Sequence, residues 1–192
     1  MTFSRRTLIK ASAASAVLGS IGAPLQALSQ AIGPSTSFRS YNYNRRYIRH
    51  RNFQVELAEV SYTSGERDRL DATFLIRSAF GSTYGVMFEA RNENLRGYFL
   101  RHKDFRLVMG KMPPPGSPDR ERFINDATWN WAPGLADRSD DRRYRSYFSA
   151  NFRDRFIRHR GFQLFLDRID TSKPLDQADA TFQIENPGLK PA

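Results

Sequence analysis

Apolar and polar positions alternate over short stretches of this chain. The run Tyr47-Ile48-Arg49 is followed by a polar break, His50-Arg51-Asn52, and then by Phe53-Gln54-Val55-Glu56-Leu57. A period of two is that of a half-buried strand, and two such runs around an Arg/Lys-Asn/Asp/Gly pair predict a β-hairpin. The same arrangement surrounds Lys103-Asp104 and Arg160-Gly161, and Phe162-Gln163-Leu164-Phe165-Leu166 has the same strand character. Ala72-Thr73-Phe74-Leu75-Ile76, β-branched and aromatic, predicts a further strand. Beyond the N-terminal stretch no segment sustains a helical period.

Sliding the chain over itself shows that these stretches are copies of one unit. The three histidines each follow an arginine and a hydrophobic pair: Tyr47-Ile48-Arg49-His50, Phe99-Leu100-Arg101-His102 and Phe156-Ile157-Arg158-His159. An asparagine precedes each by the same interval (Asn42, Asn94, Asn151), and Phe53, Phe105 and Phe162 follow, then Val55, Leu107 and Leu164. A second block reads Asp71-Ala72-Thr73-Phe74, Asp126-Ala127-Thr128-Trp129 and Asp179-Ala180-Thr181-Phe182, closing on Phe80, Leu135 or Leu189. The copies cover about residues 37–81, 86–136 and 144–190. In the middle one, Pro113-Pro114-Pro115-Gly116-Ser117-Pro118 inserts a loop that regular structure does not tolerate. Its first strand, around Phe88-Glu89-Ala90, aligns only with a shift of about two residues, and Tyr98 stands where the others have arginine. Three four-strand units point to an all-β, threefold β-trefoil, since a propeller needs at least four blades and a solenoid needs capping ends.

Composition adds limits. Fifteen Phe and eight Tyr in 192 residues suit a folded domain. With no cysteine, disulfides, thiolate metal sites and thiol nucleophiles are excluded. Residues 1–31 run from Ser4-Arg5-Arg6-Thr7-Leu8-Ile9-Lys10 through a small apolar stretch to Ala27-Leu28-Ser29-Gln30-Ala31, the order of a signal peptide. The paired arginines resemble a twin-arginine export signal, and the apolar part is too short to span a bilayer. An exported domain at 32–192, periplasmic or extracellular, is the expectation, with an uncleaved anchor as alternative. Of the net charge of +10, these first residues carry +3, leaving +7 on the rest. That excess suits a polyanion partner, or simply a solvated surface.

On the repeated Asn, aromatic-Ile/Leu-Arg-His and Asp-Ala-Thr-Phe/Trp blocks, the chain resembles the arabinofuranose-binding domain of α-L-arabinofuranosidase B. That family is a β-trefoil carbohydrate-binding module, family 42. The resemblance spans about residues 37–190 and implies one pocket per copy for a terminal arabinofuranose. The pairs lining them would be His50 with Asp71, His102 with Asp126, and His159 with Asp179. Such a pocket suits a neutral sugar, because a carboxylate accepts hydroxyl protons strongly and imidazole both donates and accepts. Tyr41, Tyr43, Tyr47, Tyr98 and Phe156 are candidates to cover a sugar's apolar face.

Each assignment has a plainer alternative. The aspartates suit turns, as do Asn42, Asn94 and Asn151, and the histidines suit hairpin heads. Arg49, Arg101 and Arg158 alternate with the histidines and should point to the opposite face, in structural ion pairs. The aspartates fall one per copy and the glutamates do not recur, so the paired carboxylates of glycoside hydrolysis are not expected, nor does the chain have room for a catalytic domain besides. A non-catalytic binder of arabinose-containing polysaccharide is therefore expected. It should be a monomer with no cofactor, metal, membrane span or nucleic-acid partner. The alternatives are an α-L-arabinofuranosidase-associated activity in L-arabinose metabolism, which the resemblance also implies, a polyanion-binding trefoil, and a trefoil with degenerate pockets.

Overall fold

The computed structural model describes residues 35–81, 85–137 and 141–189; the 1–31 segment, where an export signal is expected, lies outside them. Three units follow one another. The first holds β1 (Ser35–Ser40), β2 (Arg46–Arg51), β3 (Gln54–Glu59), α1 (Glu66–Asp71) and β4 (Phe74–Ser78). The second holds β5 (Val86–Ala90), a 3-10 turn at Glu93–Leu95, β6 (Tyr98–Lys103), β7 (Arg106–Lys111), α2 (Arg120–Ala127) and β8 (Trp129–Pro133). The third holds β9 (Tyr144–Ser149), β10 (Phe156–Arg160), β11 (Gln163–Asp167), α3 (Pro174–Asp179) and β12 (Phe182–Glu185).

Pairing closes a ring. Strands β1, β4, β5, β8, β9 and β12 each pair antiparallel with the next, and β12 returns to β1. The hairpins β2–β3, β6–β7 and β10–β11 hang from this ring and touch one another through β3, β7 and β11. A six-stranded ring with three hairpins in threefold relation is a β-trefoil-like, all-β architecture. A closed ring has no free edge to aggregate.

The repeat pattern is the core pattern. Phe74, Trp129 and Phe182 are fully buried, together with Ile48, Leu100 and Ile157 and with Val55, Leu107 and Leu164. Trp129, the largest of these, has its indole N–H satisfied by the Leu100 carbonyl at 3.1 Å.

Three features differ from the sequence-based expectation. Each unit contains a short helix, of six, eight and six residues, too brief to display a 3.6-residue period. Asp71 and Asp179 are the last residues of α1 and α3, and Asp126 the penultimate residue of α2. The following threonine ties the helix end: Thr73 Oγ1 donates to Arg69 O (2.8 Å), Thr128 to Ile124 O (2.7 Å) and Thr181 to Gln177 O (2.9 Å). The Asp-Ala-Thr-aromatic block thus reads as site carboxylate, packing contact, helix stop and core.

The hairpin turns also sit one residue later than expected. Asn52-Phe53, Asp104-Phe105 and Gly161-Phe162 form them, with φ of 49° and 63°, 51° and 60°, and 53° and 62°. Two successive positive φ values are those of a type I′ turn, whose second position normally favours glycine. A bulky side chain there is strained. What holds it is the neighbouring copy: the carbonyls of Phe53, Phe105 and Phe162 accept from Met109 N, Leu166 N and Leu57 N at 2.7–2.8 Å. The third difference concerns Tyr47, taken up with the site.

Candidate functional site

The turn phenylalanines point out of the core, at 47 %, 37 % and 38 % exposure, over three cups. The floor of each cup is the histidine and aspartate of one copy, buried to between 3 % and 8 % exposure. His50 Nε2 lies 3.7 Å from Asp71 Oδ1, His102 Nε2 3.4 Å from Asp126 Oδ1, and His159 Nε2 3.3 Å from Asp179 Oδ1. The structure therefore brings together all three pairs singled out in the sequence.

Each cup is completed by a different copy. Asn151, from copy three, donates Nδ2–H to Asp126 Oδ1 at 2.9 Å and faces His102 Nε2 with its Oδ1 at 3.0 Å. Asn42, from copy one, does the same for copy three, at 2.8 Å to Asp179 Oδ1 and 3.0 Å to His159 Nε2. Because each amide oxygen only accepts, both imidazoles carry their proton on Nε2. Ser149 and Ser40 orient these asparagines, donating to Oδ1 at 2.5 Å and 2.9 Å.

Cup one departs from this plan. Its asparagine is Asn92, which donates to Asp71 Oδ1 at 3.3 Å, and not Asn94. The two-residue shift seen in the sequence is the extra 3-10 turn, which separates Asn94 from the strand end. Ala90 stands where Ser40 and Ser149 stand, so nothing orients the Asn92 amide towards the histidine. Its Oδ1 accepts from Asn94 N at 3.1 Å instead, and His50 Nε2 is left buried with no hydrogen-bond partner.

The arginines form the structural ion pairs expected of them, but with the site carboxylates rather than away from them: Arg101 Nη2 to Asp126 Oδ2 at 2.8 Å and Arg158 Nη2 to Asp179 Oδ2 at 3.5 Å. Arg49 reaches Asp68 at 2.7 Å and Asp71 at 3.8 Å. The helix explains this, since it carries each aspartate back over its hairpin. Arg158 likewise holds Asp176 of α3 at 2.8 Å.

Aromatic rims follow the same cyclic order. Tyr43 packs edge-on to His159 (5.4 Å) and Phe162 (5.1 Å), and Phe152 to His102 (5.3 Å) and Phe105 (5.2 Å). Arg46 lies over Phe162 at 4.1 Å and Arg155 over Phe105 at 4.2 Å; at the equivalent place Tyr98 stacks on Phe53 at 5.4 Å. Tyr98 thus serves cup one, across the copy boundary. Tyr47 does not belong to a cup: it is core, with Ala58, Val60, Ala72 and Leu189, and its hydroxyl donates to Glu185 at 3.0 Å. In cup one Glu93 stands where Tyr43 and Phe152 stand, and the opening is about 510 Å³, lined also by Glu66, Arg67 and Asn94, which reaches this cup without bonding its histidine or aspartate.

Burial disfavours the charged imidazole and holds His50 and His159 below their usual pKa, against the pull of Asp71 and Asp179. Both are therefore held towards the neutral form. Each carboxylate oxygen has two lone-pair directions, so after its asparagine and arginine contacts each aspartate can still accept from ligand hydroxyls. No group of three His, Asp or Glu side chains among the described residues could hold a metal. Among those residues, too, no helix is long and apolar enough to cross a membrane.

A trefoil-like ring with a carboxylate–imidazole–amide cup at every seam and an aromatic rim defines a carbohydrate-binding kind of domain. The chain belongs to the alpha-L-arabinofuranosidase B (ABFB) domain family, which matches residues 36–184. No curated protein matches it. Among solved structures it is similar to a variant GH54 α-L-arabinofuranosidase soaked with 4-nitrophenyl α-L-arabinofuranoside, at 23% identity and TM-score 0.66 over 80% of this chain and 31% of that one. An arabinofuranosidase complexed with arabinofuranosyl-α-1,2-xylobiose gives 22% identity and TM-score 0.67 over the same shares. SeviL, bound to asialo-GM1 saccharide, shares the fold at 9% identity and TM-score 0.53, over 80% of this chain and 97% of its own. The chain spans about a third of the length of the arabinofuranosidases it resembles, and these likenesses establish the fold.

Proposed function

We propose that this is an exported, non-catalytic carbohydrate-binding protein that holds terminal L-arabinofuranose side chains of arabinan- or arabinoxylan-type polysaccharides. The observation that carries the reading is the repeated floor of each cup: a buried carboxylate with open acceptor positions beside a buried imidazole, under an exposed aromatic. His50 with Asp71, His102 with Asp126 and His159 with Asp179 are the proposed ligand contacts, with Asn92, Asn151 and Asn42 orienting them. A cup this small suits a chain end or single-residue branch over a polymer backbone. Export by the twin-arginine route is proposed from Arg5-Arg6 and its flanks.

A polyanion partner is not the sole use for the arginines at the cups, since Arg46 lies over Phe162 at 4.1 Å and Arg155 over Phe105 at 4.2 Å. Calorimetry with methyl α-L-arabinofuranoside and arabinoxylan, on wild type and on Asp71→Asn, Asp126→Asn and Asp179→Asn, tests the reading. Binding that persists at high salt and drops site by site is expected. Affinity for heparin alone, falling steeply with salt, would refute it. Turnover of a chromogenic arabinofuranoside that disappears in Asp71→Asn would refute the non-catalytic part, since Glu66 also lines cup one.

A further inference from the structure

Copy two carries an insertion that the threefold fold does not require. The proline-rich connection from Pro113 to Pro118 precedes α2, which runs eight residues where α1 and α3 run six. This added structure walls a cavity of about 690 Å³ between α2, β8 and residues 150–153, within the ~300–1,000 Å³ that ligand pockets occupy. Phe80 and Ile124 supply apolar wall, and Glu121, Asn125, Asn130 and Arg153 supply polar groups. Those four polar side chains make no hydrogen bond or ion pair among the described residues. Arg120 braces the Phe80 ring, its guanidinium 5.6 Å from the centroid.

The cavity is lined by the chain neighbours of cup-two residues. Asn125 lines the cavity and Asp126 the cup; Ala150 lines the cavity and Asn151 the cup; Arg153 lines the cavity and Phe152 the cup. Consecutive Cα atoms are about 3.8 Å apart, and Ala150 N donates to Thr128 O at 3.0 Å, joining the two walls. Resting on the function proposed above, we infer that this cavity is the subsite for the sugar residue that bears the arabinofuranosyl branch held in cup two. Copy two then reads the linkage region, whereas the other cups read the branch tip. A sugar ring offers an apolar face to Phe80 and Ile124. Its hydroxyls both donate and accept, which suits the amides of Asn125 and Asn130, the acceptor Glu121 and the donor fork of Arg153.

The chain's two tryptophans, Trp129 and Trp131, both lie on β8 either side of Asn130, so their fluorescence reports on this region. In titrations of the full chain, arabinofuranosyl-xylobiose is expected to half-saturate at about one-tenth the concentration of methyl α-L-arabinofuranoside, roughly the worth of one net hydrogen bond. Arg153→Ala is expected to abolish that advantage and leave the methyl glycoside curve in place. Glu121→Phe, which fills the cavity from an exposed helix position, should do the same and decides the matter if Arg153→Ala fails to fold. Equal affinity for the two ligands in wild type overturns the inference and leaves the binding role standing, as does an advantage that survives both variants. Silence towards both ligands removes the binding role at cup two, and the inference with it.

Discussion

Replacing Asn151 by alanine removes three side-chain bonds from one cup, and the series Asn42→Ala, Asn151→Ala and Asn94→Ala separates the two assignments of this residue. In cup two the lost contacts are Asn151 Nδ2 to Asp126 at 2.9 Å, His102 Nε2 to Asn151 Oδ1 at 3.0 Å and the supporting Ser149 hydroxyl to Asn151 Oδ1 at 2.5 Å. A hydrogen bond to a charged partner contributes about 1.5–3 kcal/mol and a neutral one about 0.5–1.5. The asparagine itself is exposed, and water replaces part of these contacts, so a net loss of about 1–2 kcal/mol is expected. For a domain of this size each kcal/mol lowers Tm by about 2–4 °C, giving a drop of about 2–8 °C for Asn151→Ala and Asn42→Ala. The Asn94 side chain bonds neither histidine nor carboxylate, so Asn94→Ala should stay within about 0.5 kcal/mol, as surface substitutions do. Thermal unfolding followed by near-ultraviolet circular dichroism measures all three. If Asn94→Ala costs as much as Asn151→Ala, or Asn151→Ala costs nothing, the cup geometry derived above is wrong.

Acid should weaken the fold through His50 and His159, whose folded pKa values are depressed by burial. Above about pH 6.5 neither the folded nor the unfolded imidazole is charged. Below it the unfolded chain takes protons that the folded one refuses, so stability falls until the pH has passed through the folded values. Urea midpoints should drop between about pH 7.5 and pH 5, and less so in His159→Gln; a flat profile refutes the buried, neutral assignment. Gly188→Ala should cost more than about 1 kcal/mol, because φ is +79° and a Cβ there would stand 2.9 Å from Ser37 N; a melting curve like wild type would disprove the close approach. Phe162→Gly removes a strained side chain at φ 62°, and is expected to leave stability within about 1 kcal/mol while weakening calorimetric binding at cup three. A large fall in Tm with unchanged binding would mean that the ring is structural. Ala90→Ser supplies the missing hydroxyl of cup one, and nuclear magnetic resonance of the His50 ring should then show an Nε2–H protected from exchange; an unchanged signal refutes Ala90 as the cause.

Much of this was legible in the sequence because threefold repetition exposes it. Whatever recurs at Ile48, Leu100 and Ile157, or at Phe74, Trp129 and Phe182, is core, and the His–Asp pairs recur in the same way. What stayed hidden has physical reasons. Helices of six to eight residues are set by the fold around them and leave no periodic trace. Phe53, Phe105 and Phe162 recur visibly, yet alternation puts them on the inner face with Val55, Leu107 and Leu164. Only the positive φ of the turn, imposed by backbone bonds from the next copy, turns them outward. Asn94 matched by counting back from the histidine, whereas the structure counts forward from the strand end and arrives at Asn92.

The seam placement of the cups ties binding to folding. An asparagine of copy one completes the site of copy three, one of copy three completes that of copy two, and one of copy two completes that of copy one. No copy can assemble a finished cup by itself, so the polar site forms only once the ring has closed. The same contacts that present hydroxyl acceptors also satisfy buried groups, as Asn42 and Asn151 do for His159 and His102. Cup one, where Ala90 breaks that arrangement, is correspondingly the cup with an unsatisfied buried nitrogen. A ligand hydroxyl accepting from or donating to His50 Nε2 would relieve a desolvation cost of about 1–3 kcal/mol that the other two cups have already met internally. The three sites are therefore similar in sequence but not equivalent in energetics: two have their imidazole nitrogen satisfied by protein, and one keeps a buried nitrogen without a partner.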